Sequence, residues 1–182
     1  MSDQFDLYEK LDGPVGGARN MGGTKQVAYA APIGWFATIA DLPAAPVTLD
    51  EYAAIVDDHI FEVGHNFLEI YCTLDKGEIN DEPNGETDGR SFTSKATLFL
   101  PGAEKEKFGF ANAANNDKWI LLIPMPDGTV RQIGTKDFFA ELLFKFGSAT
   151  NKGGVRGFMI DVEAVGPDLI VYEGEISLTP AI

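Results

Sequence analysis

Cysteine is nearly missing from this chain. Cys72 is the only one in 182 residues, which excludes an intrachain disulfide and a cysteine-built zinc cage. Histidine is almost as scarce. His59 and His65 stand six apart, whereas a zinc pair on one helix face needs three or four, and no third ligand sits at a clear spacing. Both are expected at the surface or at strand ends. Positive charge is also short. Lys plus Arg number 14 against 28 Asp plus Glu, a formal net charge of −14, and a phosphate-binding surface needs the opposite excess. No long hydrophobic run exists either. The longest mainly apolar stretch, residues 27–40, contains Pro32 and Gly34 and is too short to span a bilayer. The opening MSDQFDLYEKLD carries charge rather than an apolar core, so no secretory signal is visible and synthesis in the cytoplasm is expected.

What is present points to a globular β-rich domain. Apolar residues make up 45% and aromatics 11%, too much of both for a disordered chain of this charge. The length suits one domain. Residues 1–26 hold five glycines and few large apolar groups after Leu11, which predicts a flexible arm, leaving 27–182 as the domain. Residues 27–40 suggest a strand pair broken at Pro32-Ile33-Gly34. Thr48-Leu49-Asp50-Glu51 has the capping-box pattern and predicts a short helix to about Asp58, although 55–63 also reads as strand. Asn66 to Leu74 alternates, with Leu68, Ile70, Cys72 and Leu74 on the expected core face.

Asp75 to Arg90 then brings six acids, Asp75, Glu78, Asp81, Glu82, Glu86 and Asp88, against Lys76 and Arg90. With three glycines and Pro83 it reads as a long exposed loop with little to give a core. Ser91 to Leu100 is a strand with Phe92, Ala96, Leu98 and Leu100 on one face. Ala103 to Ala114 is the clearest helix, with Phe108 and Ala111 on one side. Lys118 to Ile123 is a buried strand, Asp127-Gly128 a hairpin turn and Thr129 to Ile133 its return. Phe138 to Phe146 reads as either helix or strand, and its position in a strand series favours strand; Val155 to Val165 and Leu169 to Leu178 complete the strands. The fold class is mainly β with one or two helices, as a sandwich or barrel.

Chemistry is hard to find in these residues. Gly23-Thr24-Lys25 reverses the Gly-Lys-Thr order that a phosphate loop requires, and no strand precedes it. Counting from Asp81, the sixth and twelfth positions of a calcium loop fall on Glu86 and Phe92, where glycine and glutamate are needed. Cys72 lies on an apolar strand face and reads as an inert core thiol. Trp119, Phe99, Phe108, Phe110 and Phe158 read as core rather than as a base-stacking platform. No nucleophile, base, metal set or cofactor motif emerges, so the expectation is a non-enzyme without cofactor.

The order of elements resembles that of the tail tube proteins of tailed bacteriophages: a Gly-rich arm, strands 66–74 and 91–100, a helix near 103–114, then strands through 178. The long segment Asp75 to Arg90 between two strands resembles the loop by which such proteins reach a neighbouring subunit. The wording Asp75-Lys76-Gly77-Glu78 to Asp88-Gly89, with Phe108-Gly109-Phe110-Ala111 and Asn115-Asn116-Asp117, is similar to virion proteins of phages of Bacteroidetes-type hosts. The resemblance implies a tail-tube type β-sandwich or barrel that assembles into hexameric rings. Stacked rings would form a virion tube through which DNA passes without specific binding. It also implies self-association, contact with other tail proteins and no membrane segment. Asp75, Lys76, Glu78, Asp81, Glu82, Glu86, Asp88 and Arg90 are then the candidate inter-subunit residues. The competing expectations are another virion component (a connector, a tail terminator or the tube protein of a contractile injection system) and a monomeric ligand-binding barrel.

Overall fold

The computed structural model describes residue 8 and residues 10–182. Twelve strands and one α-helix follow in chain order among them: β1 (Val27–Pro32), β2 (Phe36–Thr38), β3 (Ala54–Ile55), β4 (Ile60–Phe61), β5 (Leu68–Tyr71), β6 (Glu78–Asn84), β7 (Ser91–Pro101), α1 (Lys105–Ala114), β8 (Trp119–Pro124), β9 (Val130–Ile133), β10 (Glu141–Gly147), β11 (Gly157–Gly166) and β12 (Ile170–Tyr172). A six-stranded sheet runs β3-β12-β9-β8-β1-β5. A four-stranded sheet runs β10-β11-β7-β6, and β2 pairs with β4. The fold is mainly β with a single helix, and the sheets are open; no closed barrel forms among the described residues.

The main core lies between the two larger sheets. Ala28 and Ala30 from β1, Leu121 and Ile123 from β8, and Ile133 from β9 meet Ala96 and Leu98 from β7, Leu142 from β10, and Phe158, Ile160 and Val162 from β11. Small alanines on β1 let the facing sheet approach, while branched and aromatic residues opposite fill the space. A second core covers the other face of the six-stranded sheet. There Ala31, Leu122, Ile170 and Tyr172 pack against Phe61, Phe67 and Ile55. β8 is therefore sandwiched, and all six of its residues, WILLIP, are buried. That is why its sequence reads as an unbroken apolar run.

α1 closes one end of the sandwich. Phe110 reaches Trp119 and Phe144, and Phe108 packs on Phe146 and Phe158. Phe108 stays 38% exposed, so the core-facing aromatic is Phe110.

Several sequence expectations need correction. The capping box forms, but one position off: the Glu51 N–H donates to Thr48 Oγ1 at 3.4 Å, while the Glu51 carboxylate accepts from the Val47 N–H at 2.6 Å. It starts only one 3₁₀ turn, Asp50–Tyr52, because the buried Ala54–Ile55 is drawn into parallel pairing with β12. Residues 27–40 do not pair with each other; β1 lies between β5 and β8, and β2 goes to β4. The last expected strand shrinks to Ile170–Tyr172. Leu74 is exposed, and Phe67, expected on the opposite face from the core, is buried in the second cluster.

The largest correction concerns Asp75 to Arg90. Glu78–Asn84 is a strand that pairs antiparallel with β7, Glu78 opposite Thr97 through Asn84 opposite Ser91. Only residues 85–90 remain as the hairpin connection. Ile79 contributes to the main core, so the segment is part of the domain and not an appendage. Gly77, just before β6, permits a close approach by the chain that precedes β1. A Cβ there would lie 2.0 Å from Thr24 Oγ1, and Thr24 is buried. The Lys25 N–H also donates to Pro124 O at 2.9 Å.

Candidate assembly surface

Seven of the eight candidate residues fall in three places. Asp75 occupies a left-handed turn (φ 64°) and Lys76 lays its ammonium 5.1 Å from the Phe99 ring centroid. Glu78 and Glu82 stand on the outer face of the four-stranded sheet. Glu86, Asp88 and Arg90 form the exposed hairpin tip, where Asp88 is again left-handed (φ 68°). Asp81 belongs to none of these. It points inward from β6 and pairs with Arg131 on β9, its two oxygens 2.6 and 3.1 Å from the guanidinium nitrogens. Arg131 Nε also donates to Ile170 O at 3.1 Å. The side chains are 16% and 13% exposed, so this is a largely buried bidentate clamp between the two sheets. Burial alone would raise the Asp81 carboxyl, but hydrogen bonds from Arg131 and Ser94 and the Arg131 charge hold it below its ordinary value. Asp81 is thus a positioning residue of the fold, not a surface contact.

The four-stranded sheet carries the most distinctive surface. Its inner face is the core. Strand alternation and the pairing registers put Glu78, Glu82, Lys95, Glu141, Lys145, Asp161 and Glu163 on the outer face. That is five acids against two lysines. Neither lysine is free: Lys95 sits 3.6 Å from Glu82, and Lys145 is bonded to Asp161. The two edges of this sheet, β6 and β10, are seven residues each. Each pairs on one side only among the described residues. Pro83 on β6 fits an edge strand, since proline cannot donate to a central ladder.

A buried polar network lies behind β9, built on a histidine expected at the surface. His59, expected at the surface, is 4% exposed. Its Nδ1 accepts the Ala40 N–H at 3.0 Å, so the proton is on Nε2, which donates to Gln132 Oε1 at 2.9 Å. Gln132 Nε2 donates onward to Gly134 O, and the His59 N–H donates to the Tyr172 hydroxyl at 3.1 Å. The imidazole stacks on the Tyr172 ring, centroids 4.7 Å apart. Burial lowers the pKa of His59, against smaller raising effects from Gln132, Asp41 and Asp58. Every polar atom of the ring is satisfied, which makes it a structural histidine. The only obvious signal available in the sequence was its place between two apolar strand fragments. His65 is half-buried and stacks on Trp35.

Cys72 is buried and its thiol is pushed up to about 11 by burial, against a smaller lowering effect from the Ala28 backbone, which leaves little thiolate at neutral pH. No group of three His, Cys, Asp or Glu able to hold a metal occurs among the described residues. No helix among them is long and apolar enough to cross a membrane. Comparison of the chain with protein-family models, with curated proteins and with solved structures returned no match.

Proposed function

We propose that this chain is a structural subunit of the tail-tube type, which joins copies of itself edge to edge into rings that stack as a DNA-conducting tube. The observation that carries this reading is the four-stranded sheet. Its neighbours are all antiparallel and even in number, so β6 and β10 run in opposite directions. A copy rotated about an axis along the strands therefore presents its β10 antiparallel to the first copy's β6. Two matched seven-residue edges on opposite sides make a heterologous contact, which closes into a ring or continues as a filament. Six such sheets would supply about 24 strands, and at ~4.8 Å per strand the backbone diameter is about 37 Å, larger with tilt. That is wide enough for a double helix with side chains lining the wall.

The acidic outer face would then line the channel. With five acids against two strand lysines, each beside a carboxylate, it offers phosphates net repulsion, so DNA would pass without being held. Partners are further copies of the chain and other tail proteins, and the location is the virion. Negative-stain electron microscopy over a concentration series, with light scattering, tests the reading. Hollow tubes support it. Discrete rings that never lengthen favour a connector or tail terminator, and a lasting monomer favours a ligand-binding domain.

A further inference from the structure

The two ends of the four-stranded sheet differ in charge and in shape. At one end β10 and β11 part at the pair Gly147–Gly157, and residues 148–156 project beyond the sheet, all of them exposed. The tip is a preset turn. The Thr150 and Gly153 N–H groups donate to each other's carbonyls at 3.2 and 3.3 Å, and Thr150 Oγ1 donates to Gly153 O at 3.1 Å. This hairpin holds Lys152 and Arg156 and no acid. Neither cation is in an ion pair among the described residues. Glu104, on the segment that bonds Arg156 O through the Gly102 N–H, is already held by Lys107 at 2.7 Å.

At the other end a cavity of about 230 Å³ opens beside the last residues of β11. Asp41, Asp137 and Asp168 stand around it, all exposed, and Leu42, Phe138 and Ile170 give it apolar walls. None of its lining residues is a lysine or arginine, and none of the three carboxylates is in an ion pair among the described residues. The volume falls below the roughly 300–1,000 Å³ of a small-molecule site. It suits one long basic side chain, whose methylenes cover the walls while its ammonium meets the carboxylates. The molecule's own hairpin cannot supply that side chain, because the 10 residues of β11 set the two ends about 30 Å apart at ~3.3 Å per residue. A second copy can. We propose that the hairpin 147–157 of one copy docks head to tail on this cavity of the next, with Lys152 among Asp41, Asp137 and Asp168 and Arg156 at the rim. A contact between opposite ends is heterologous and repeats along the strands, whereas the β6–β10 contact repeats across them. Exposed ion pairs are weak singly, but a ring presents one set per subunit and the sets act together. This rests on the self-assembly proposed above and names the contact that stacks one ring on another.

Carbodiimide coupling of the unaltered chain tests it, because the reagent joins an ammonium to a carboxylate only where the two touch. Equal parts of ordinary and isotope-labelled protein are coupled, and mass spectrometry reads amide-linked peptides that carry both labels. Mixed-label links from Lys152 to Asp41, Asp137 or Asp168 are expected at least tenfold above links from Lys152 to Glu163, an exposed acid on the outer sheet face. Equal yields, or no link to the cavity, overturn the proposal. Exchanging the charges reads the same contact without a reagent, at four exposed positions whose change should leave the domain folded. Lys152→Glu/Arg156→Glu makes the hairpin end acidic, and Asp137→Lys/Asp168→Lys makes the cavity end basic. Each variant alone should form tubes at least tenfold shorter, and an equal mixture of the two should regain the length. Full-length tubes from either variant alone, or a mixture no longer than its parts, overturn the proposal. Microscopy of the coupled samples separates the two ideas. Tubes of the unaltered chain without the Lys152 link refute this contact alone; the link without rings or tubes refutes the tube reading and leaves the contact standing.

Discussion

The two large sheets solve different problems. The six-stranded sheet is covered on both faces, by the main core on one and by the β2–β4 pair and the second cluster on the other. The four-stranded sheet is covered on one face only. Its outer face is acidic, and among the described residues each of its two edges pairs on one side only. A strand in the first cannot change without unpacking something. In the second, the edge strand β10 alternates between buried or half-buried positions and exposed ones over Glu141–Lys145, while the central β7 also buries Thr93 and Phe99 on its outward side.

Mutations can break that contrast. Leu122 and Leu143 are the same residue type, fully buried on β8 and 43% exposed on β10. Leu122→Asp places an unpaired charge in a dry core and should abolish folding, with no cooperative melt at any pH near neutrality. Leu143→Asp, which sets a second carboxylate opposite Asp161, should cost about 1 kcal/mol and leave a folded, cooperatively melting domain. Equal effects would show that the outer face is not free. Replacing Asp81 by Ala comes next. It leaves the Arg131 guanidinium largely buried without its carboxylate, so denaturant melts should show a loss of about 1–3 kcal/mol, discounted from a fully buried pair for partial exposure. A double-mutant cycle with Arg131→Met should recover part of that loss, whereas additive losses would deny the clamp.

Acid sharpens the same division. Asp81 has a lowered folded pKa, so its contribution is full above about 3.8 and is lost as pH falls through that lowered value. His59 is also lowered, with the opposite linkage. Below about 6.5 the unfolded imidazole takes a proton that the folded one refuses, so stability declines as pH drops from there toward the folded value. Replacing His59 by Gln should flatten the upper of these two declines at some cost in stability, read by thermal melts at a series of pH values. The smallest effect belongs to the hairpin tip. Shortening 85–90 to a two-residue turn should leave the melting temperature within a few degrees, while removing 79–87 should destabilise the domain far more, because it takes one of β7's two partner strands, Ile79 from the core and Asp81 from Arg131.

The sequence disclosed these regions unequally. Lys118 to Ile123 was legible because burial on both faces leaves an apolar run, and Ser91 to Leu100 because one wet face leaves alternation. Glu78–Asn84 was not legible. Its outward residues are acids and asparagines, its inward set includes Asp81 and Pro83, and its strand character comes from β7 rather than from its own propensity. The same cause hid the 3₁₀ turn at 50–52, where pairing with a strand 116 residues later overrides a good cap. Seven of the eight candidate residues were placed on exposed surface or turns by composition alone. Asp81 was not, because its partner Arg131 lies on the other sheet and nothing local announces it.

The central claim is that the free edges of the four-stranded sheet join one copy to the next. Phe146→Pro tests it most directly, because Phe146 is an exposed residue of β10 whose N–H, like that of Ala140, faces away from β11, so proline takes away a donor of the unpaired edge. Sedimentation and negative-stain microscopy of this variant beside the unaltered chain would be compared at matched concentration. The account predicts rings or tubes from the unaltered chain and a folded, cooperatively melting monomer from the variant. Unchanged assembly by the variant, or no assembly by either protein up to millimolar concentration, would contradict it.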